Sequence, residues 1–492
     1  MQINLVSEFT KQIINNNPEY TMLDYYYIFN QIEALIGTNE VNDNALNLLM
    51  LVDKLVAVAV NNHKIANTTQ AKAILNAQLF NLITPLPHTV NDIFWQKYQQ
   101  NPQQATDYFY QLCCNNNYIQ TRALAKNKMF QVETSIGNLE ITINLAKPEK
   151  DPKQIAQTFR QTISNYPLCR LCATNEGYLG NNNYPARSNL RIIRMDINNQ
   201  NWGMQYSPYG YFREHAIFLA MQHIPMYINH QTYINLLTIV QKFPFYFVGS
   251  NADLPIVGGS ILGHQHYQGG RHVFPMMKAP IWQTIQTPFT DVKMGLVKWP
   301  LATIRLQSNN IDHLVMIADS IQKAWQLYSD PHVHVYAKSN HQRHHTITPI
   351  AYYQNDHYIL DLVLRDNHTS SQYPDGEFHI HPQYYHIKKE NIGLIEVMGR
   401  AILPGRLQNE LQLVIRYLHG EKVVVGSQHY QWAQQLRHQY GIVSLAYAHQ
   451  IIQHELGNIF AKILNNTGVF KQNDEGRQAF LRFIHYWKYT LN

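Results

Sequence analysis

"TYINLLTIVQKFPFYFVGSNADLPIVGGSILGHQHYQGG", residues 232–270, carries the change of periodicity that decides the fold. Its first twelve residues, 232–243, read as an amphipathic helix, and residues 245–251 read as a strand. Just upstream, "HAIFLAM" (215–221) reads as a further strand. A helix between two strands implies a sheet with a packed crossover, so an all-helical or all-β chain is excluded.

The same alternation of types continues outward. In "LEITINL" (139–145), Leu139, Ile141, Ile143 and Leu145 fall on one face of a strand, with Glu140, Thr142 and Asn144 on the other. Residues 312–329 read as a helix, and "TITPIAYYQNDHYILDLVLRDN" (346–367) as a hairpin turning at Gln354, Asn355 and Asp356. Helices are expected at 391–403 and 449–464. Residues 1 to about 130 read as helical, with Ile3, Val6, Phe9 and Ile13 at helical spacing and a strongly apolar helix at 45–60. The fold class expected is α+β.

Composition narrows the function. The chain has 492 residues, 45% of them hydrophobic, enough to bury a substantial core, and only 15% charged. Its net charge of +6 is spread along the sequence without a basic tail or stripe, which argues against nucleic acid and leaves a small anionic substrate compatible. The N-terminus lacks the pattern of a signal peptide, and no apolar run is long enough to span a bilayer. Four cysteines are too few for a disulfide framework in so long a chain, so a reducing, cytoplasmic compartment is expected.

Two motifs carry chemistry. His264 and His266 stand one residue apart, but with 25 histidines about one such pair arises by chance, and two others occur, at 332/334 and 379/381. The pair alone proves nothing. Cys169-Arg-Leu-Cys172 is rarer: four cysteines give about 0.03 such spacings by chance. Two thiolates of one turn suit zinc, often completed by two imidazoles, for which His215 and His264 are the candidates. A redox dithiol would want a thioredoxin-like βαβ context that is not evident, and a pair of ordinary buried cysteines stays open.

If His264 is a ligand, strand alternation places His266 beside it, unbound and oriented. Neutral imidazole is a good nucleophile toward phosphorus. Gln268, two residues on, can donate its amide hydrogens to phosphoryl oxygens. Gly258, Gly259, Gly269 and Gly270 would allow close approach of a bulky phosphate ester.

The ordered segments "YPLCRLC", "NEGY", "PARSN", "SPYGYFREHAI", "HIPM", "FPFYFVGSNADLPIVGGSILGHQHYQGGRHVFPM", "HTITPIA", "LDLVLRDN", "YYHIKKENIGLIEVMG" and "LPGRL" together resemble the type 2 family of hexose-1-phosphate uridylyltransferases, from about Tyr118 to Arg406. The resemblance implies exchange of a uridylyl group between UDP-glucose and galactose 1-phosphate in the Leloir pathway, by double displacement. It also implies two histidine-triad-like halves, each an antiparallel sheet with helices, at 118–290 and 291–492, behind a helical region at 1–117.

By the same resemblance His266 takes up the uridylyl group, Gln268 contacts the phosphoryl oxygens, and Cys169, Cys172, His215 and His264 hold a structural zinc, with no organic cofactor. Asn189 and Asn251 fall where the family holds the nucleotide, Lys389 where a cation suits the hexose phosphate, and Arg122 near the diphosphate. A turn-forming Asn251 and a solvated Lys389 are the plain alternatives. Gln265 and Tyr267 depart from the better-known type 1 pattern, as does the "ILG" after Ser260, and no role is carried to them. A homodimer is implied as well. A hydrolase or dinucleotide phosphorylase of the same superfamily is the competing reading, disfavoured because position 268 is Gln where a third alternating histidine is usual. A zinc-stabilised module that binds nucleotide sugar without turnover is the third.

Overall fold

The computed structural model describes residues 3–37, 42–43, 47–146, 166–259 and 261–491. Ser260 and part of the expected helix at 45–60 therefore lie outside the described residues. The chain divides into two compact units.

The first unit comprises Met1–Arg122, Lys150–Gly210 and Ala216–His223. Six helices, Leu5–Asn16, Tyr25–Ile36, Leu48–Asn61, Thr69–Ile83, Pro87–Gln100 and Pro102–Asn115, account for the helical pattern of the N-terminal sequence. Side chains start several of them: Asn4, Asn47, Thr68 and Asn101 each accept a backbone N–H of the first turn. The first four share a core of Val6, Phe9, Ile13, Ile32, Leu55 and Phe80, each apolar side chain contributing about 1.5–3 kcal/mol on full burial. Three antiparallel strands, Ile193–Ile197, Gln200–Tyr206 and Ala216–Ala220, complete the unit. Buried Arg191 joins helix to loop by donating to the carbonyls of Pro85, Thr84, Ser188 and Leu190.

The second unit comprises Ala123–Glu149, Tyr211–His215 and Ile224–Asn492. Its larger sheet runs Ile281–Ile285, Lys293–Val297, Thr303–Ser308, His357–Asp366, His345–Gln354, Phe247–Gly249, His266–Gly270, each strand antiparallel to the next. The strand before the opening histidine pair thus pairs with the 345–354 strand, through Gly249 opposite Ile350. Helices His230–Lys242 and Ile311–Leu327 pack on this sheet. The hairpin forms as expected, its turn made by Asn355 (φ 52°) and Asp356 (φ 59°), residue types that tolerate the left-handed region.

Two sequence expectations change. The segment expected as one helix, 391–403, splits into a four-residue helix, Leu394–Val397, and a strand, Arg400–Pro404, that pairs in parallel with Gly137–Asn144. Gly399 makes the break: it sits at φ +104°, and a Cβ there would lie 2.9 Å from Pro275. The strand at 139–145 was expected to show a polar face. Instead Glu140, Thr142 and Asn144 are buried with the apolar residues, and Glu140 is bonded by Arg400 (2.6 Å) and His272 (3.0 Å).

Candidate active site and metal centre

His266 opens the strand His266–Gly270, and only the residues from 266 onward are strand. His264 lies in the bend before it, so the alternation that would put both histidines on one face does not apply to that pair. What links them is local: the His266 Nδ1–H donates to the His264 carbonyl at 2.7 Å. That bond fixes the tautomer and leaves the lone pair on Nε2. Burial pushes the His266 ring down to about 4, against the opposing pull of the His264 carbonyl, so it is neutral at pH 7.

Gln268 shares the strand face of His266 by alternation. Its Oε1 lies 2.9 Å from His215 Nε2. His215 was expected with the cysteines; it is found on the carboxamide of Gln268 instead, buried, its pKa also pushed down to about 4 by burial. Its ring lies against Tyr211 and Phe212, with centroids 5.4 and 4.7 Å away.

The cysteine loop belongs to the first unit. The sulfurs of Cys169 and Cys172 lie 3.5 Å apart, and Cys172 Sγ lies 3.1 Å from His223 Nδ1. These three donor atoms are all within 4.8 Å of one another. Asn175 donates to the carbonyls of both Cys169 and Cys172 at 2.8 Å, and the Leu171 N–H points to Cys169 Sγ at 3.4 Å, which folds the loop around its sulfurs. Burial, with the Cys169 contact, pushes the Cys172 thiol up to about 11. Two sulfurs and an imidazole are a donor set that fits zinc. By sequence His215, which follows an acidic residue, is the expected ligand; the signal for His223 is that it opens "HIPM" (223–226), one of the segments that carry the family resemblance. His264, fully buried, belongs to the second unit.

Of the remaining residues, Asn189, Asn251 and Arg122 are held by protein partners. Asn189 is buried and donates to the Asn116 carbonyl at 2.8 Å, while the Asn116 amide donates back to the Asn189 carbonyl. Asn251 accepts the Leu394 N–H at 2.8 Å, opening the short helix. Arg122 is half-exposed in an ion pair with Asp53. Lys389 is exposed, its ammonium 5.2 Å from the centre of the Tyr385 ring. Its neighbour Lys388 is the buried one, paired with Glu396 at 2.9 Å. Gly259 and Gly270 make room for protein: a Cβ on Gly259 would meet the Asn251 side chain at 2.7 Å, and one on Gly270 the Glu214 carbonyl. His332 and His334 are exposed.

Comparison with known proteins now places the chain. Residues 18–225 match the N-terminal domain, and 239–434 the C-terminal domain, of galactose-1-phosphate uridyl transferase. The chain is 53% identical over 480 residues to the galactose-1-phosphate uridylyltransferase of Pediococcus pentosaceus, covering 97% of this chain and 99% of that one. It is 53% identical over 484 residues to that of Ligilactobacillus salivarius, covering 98% of each. These matches define a nucleotidyltransferase of galactose metabolism. Within that class, the chain belongs to the galactose-1-phosphate uridylyltransferase family.

Proposed function

We propose that the protein transfers the uridylyl group of UDP-glucose to galactose 1-phosphate through a covalent adduct on His266, the exchange step of the Leloir pathway. The observation that carries this reading is the bond from His266 Nδ1–H to the His264 carbonyl, which supports a neutral ring with its nucleophilic lone pair on Nε2.

Nε2 attacks the phosphorus next to uridine; a P–N bond forms, the bond to glucose 1-phosphate breaks, and glucose 1-phosphate leaves with the bonding pair. The ring becomes cationic, and the retained Nδ1–H donates more strongly to the backbone carbonyl as it does so. A phosphate oxygen of galactose 1-phosphate then attacks the same phosphorus, releasing UDP-galactose and returning neutral imidazole. Gln268 donates amide hydrogens to the phosphoryl oxygens as charge builds on them.

Cys169, Cys172 and His223 suit a structural zinc. Bound there, zinc would supply loop rigidity and take no part in the transfer. Of the nucleotide and sugar-phosphate residues expected from sequence, Lys389 is the best placed to meet a phosphate, because its ammonium is exposed.

The test uses UDP-glucose labelled in the phosphate next to uridine. Labelled, acid-labile protein should form and be discharged by galactose 1-phosphate into UDP-galactose. Release of UMP would indicate a hydrolase, and the absence of any adduct would end the reading. His266→Ala should show neither adduct nor exchange.

A further inference from the structure

We propose that His215 is a positioning residue for catalysis: its Nε2–H holds the Gln268 carboxamide by the oxygen, so that the amide NH₂ is the end presented to the transferred phosphoryl group. The inference rests on the reading of His266 and Gln268 given above.

A glutamine carboxamide is pseudo-symmetric, and its two ends act oppositely on a phosphoryl oxygen. The NH₂ end stabilises developing negative charge; the C=O end repels it. Something must choose between them, and the contact at 2.9 Å to His215 Nε2 is the feature that can. Two arrangements satisfy this contact. In one, His215 carries its proton on Nε2 and donates to Gln268 Oε1, leaving Nδ1 as an acceptor. In the other, the Gln268 amide donates to a bare Nε2, and His215 carries its proton on Nδ1. The Nδ1 atom is buried and has no hydrogen-bond partner among the described residues. The second arrangement would therefore strand a buried N–H donor, rarer in folded proteins than an under-used acceptor. A doubly protonated ring is excluded by burial, which holds it neutral at pH 7. The first arrangement remains.

The surroundings hold His215 in that pose. Glu214, the residue before it, sits at φ +57°, a strained backbone for a non-glycine residue. Its fully buried carboxylate accepts from Tyr246 at 2.7 Å and from Arg271 at 3.1 Å. Gly270, at φ +146° and two residues past Gln268, has no Cβ to collide with the Glu214 carbonyl, which lets the strand lie against this segment. The rings of Tyr211 and Phe212 pack on the imidazole. Strain tied down by two hydrogen bonds and two aromatic contacts beside a functional strand fits a part built to aim a side chain.

The experiment compares His215→Phe, His215→Gln and His215→Asn in the full-length protein, alone and combined with Gln268→Ala. Phe keeps a ring and loses the donor. Gln can place an amide nitrogen near the position of imidazole Nε2, whereas Asn is too short. We expect His215→Phe and His215→Asn to slow adduct formation and kcat by about 10- to 100-fold, short of the roughly 10²–10³ for losing a transition-state donor outright. KM for UDP-glucose should stay within about threefold. His215→Gln should recover most of the rate, and neither Phe nor Asn at 215 should slow a Gln268→Ala enzyme further. Unchanged rates for both Phe and Asn, equal losses with and without Gln268, or a Gln variant as slow as Asn would each overturn the proposal. His266→Ala is run alongside. If it still exchanges, the covalent reading itself fails; if it is inactive while the His215 variants show no coupling to Gln268, only the positioning role fails.

Discussion

His223 and His215 exchange places between sequence and structure, and the exchange has a measurable consequence. With two thiols and the His223 ring clustered and His215 engaged elsewhere, metal content should follow His223. Elemental analysis should find about one zinc per wild-type chain, most of it lost in His223→Ala and in Cys169→Ser/Cys172→Ser, and retained in His215→Phe. Retention in His223→Ala with loss in His215→Phe would reinstate the sequence-based ligand set. The cysteine spacing was legible in the sequence because both ligands sit on one local turn. Choosing the imidazole partner was not, since the choice depends on which loop returns to the sulfurs.

Among the elements, the hairpin 345–366 was legible to its turn, because alternation and an Asn-Asp pair are local signals. The segment 391–403 reads as continuous helix, but Gly399 breaks it through neighbours remote in sequence, Pro275 and Trp299. Gly399→Ala should therefore destabilise by more than the ~1 kcal/mol scale of ordinary glycine effects, as a lower urea midpoint would show. Cross-strand pairing also decides cost. Arg305 faces Asp361 across adjacent strands at 2.7 Å and donates as well to the carbonyls of Met276, Met277 and Ala279. Asp361 is fully buried, so Arg305→Ala should leave an uncompensated charge and cost about 3–5 kcal/mol in urea unfolding. A loss below about 1 kcal/mol would mean the aspartate finds water or a proton.

Across the whole molecule, no helix among the described residues is long and apolar enough to cross a membrane. Stability should respond to pH through a buried histidine network in the second unit. Asp366 accepts from His345 at 3.1 Å and from His368 at 2.9 Å, and His345 stacks on Trp325 with centroids 3.8 Å apart. Burial alone would raise the Asp366 carboxyl; the two histidines outweigh it and hold it at about 2. Burial alone would lower His368; the carboxylate outweighs it and raises the ring above 6.5. The aspartate's share of stability is therefore present above its ordinary 3.8 and lost as pH falls toward 2. That of His368 is full below 6.5 and fades as pH rises through its elevated value. The stability gap between wild type and Asp366→Asn should be widest between about pH 4 and 6.5 and shrink on both sides. A gap independent of pH would show that these groups do not titrate with folding.

The sequence by itself determined the α+β class, the helical N-terminal region, the helices near 232–243, 312–329 and 449–464 and the hairpin, because these rest on periodicity and local turn chemistry, and its ordered motifs carry the family resemblance. It also singled out His266, Gln268 and the cysteine pair. Only the tertiary structure decided that His264 lies off the strand, that Asn189 and Asn251 brace the backbone, and that His215 meets Gln268 while His223 meets the sulfurs. Those pairings are set by which strands and loops pack together, and spacing along a chain holds no record of that.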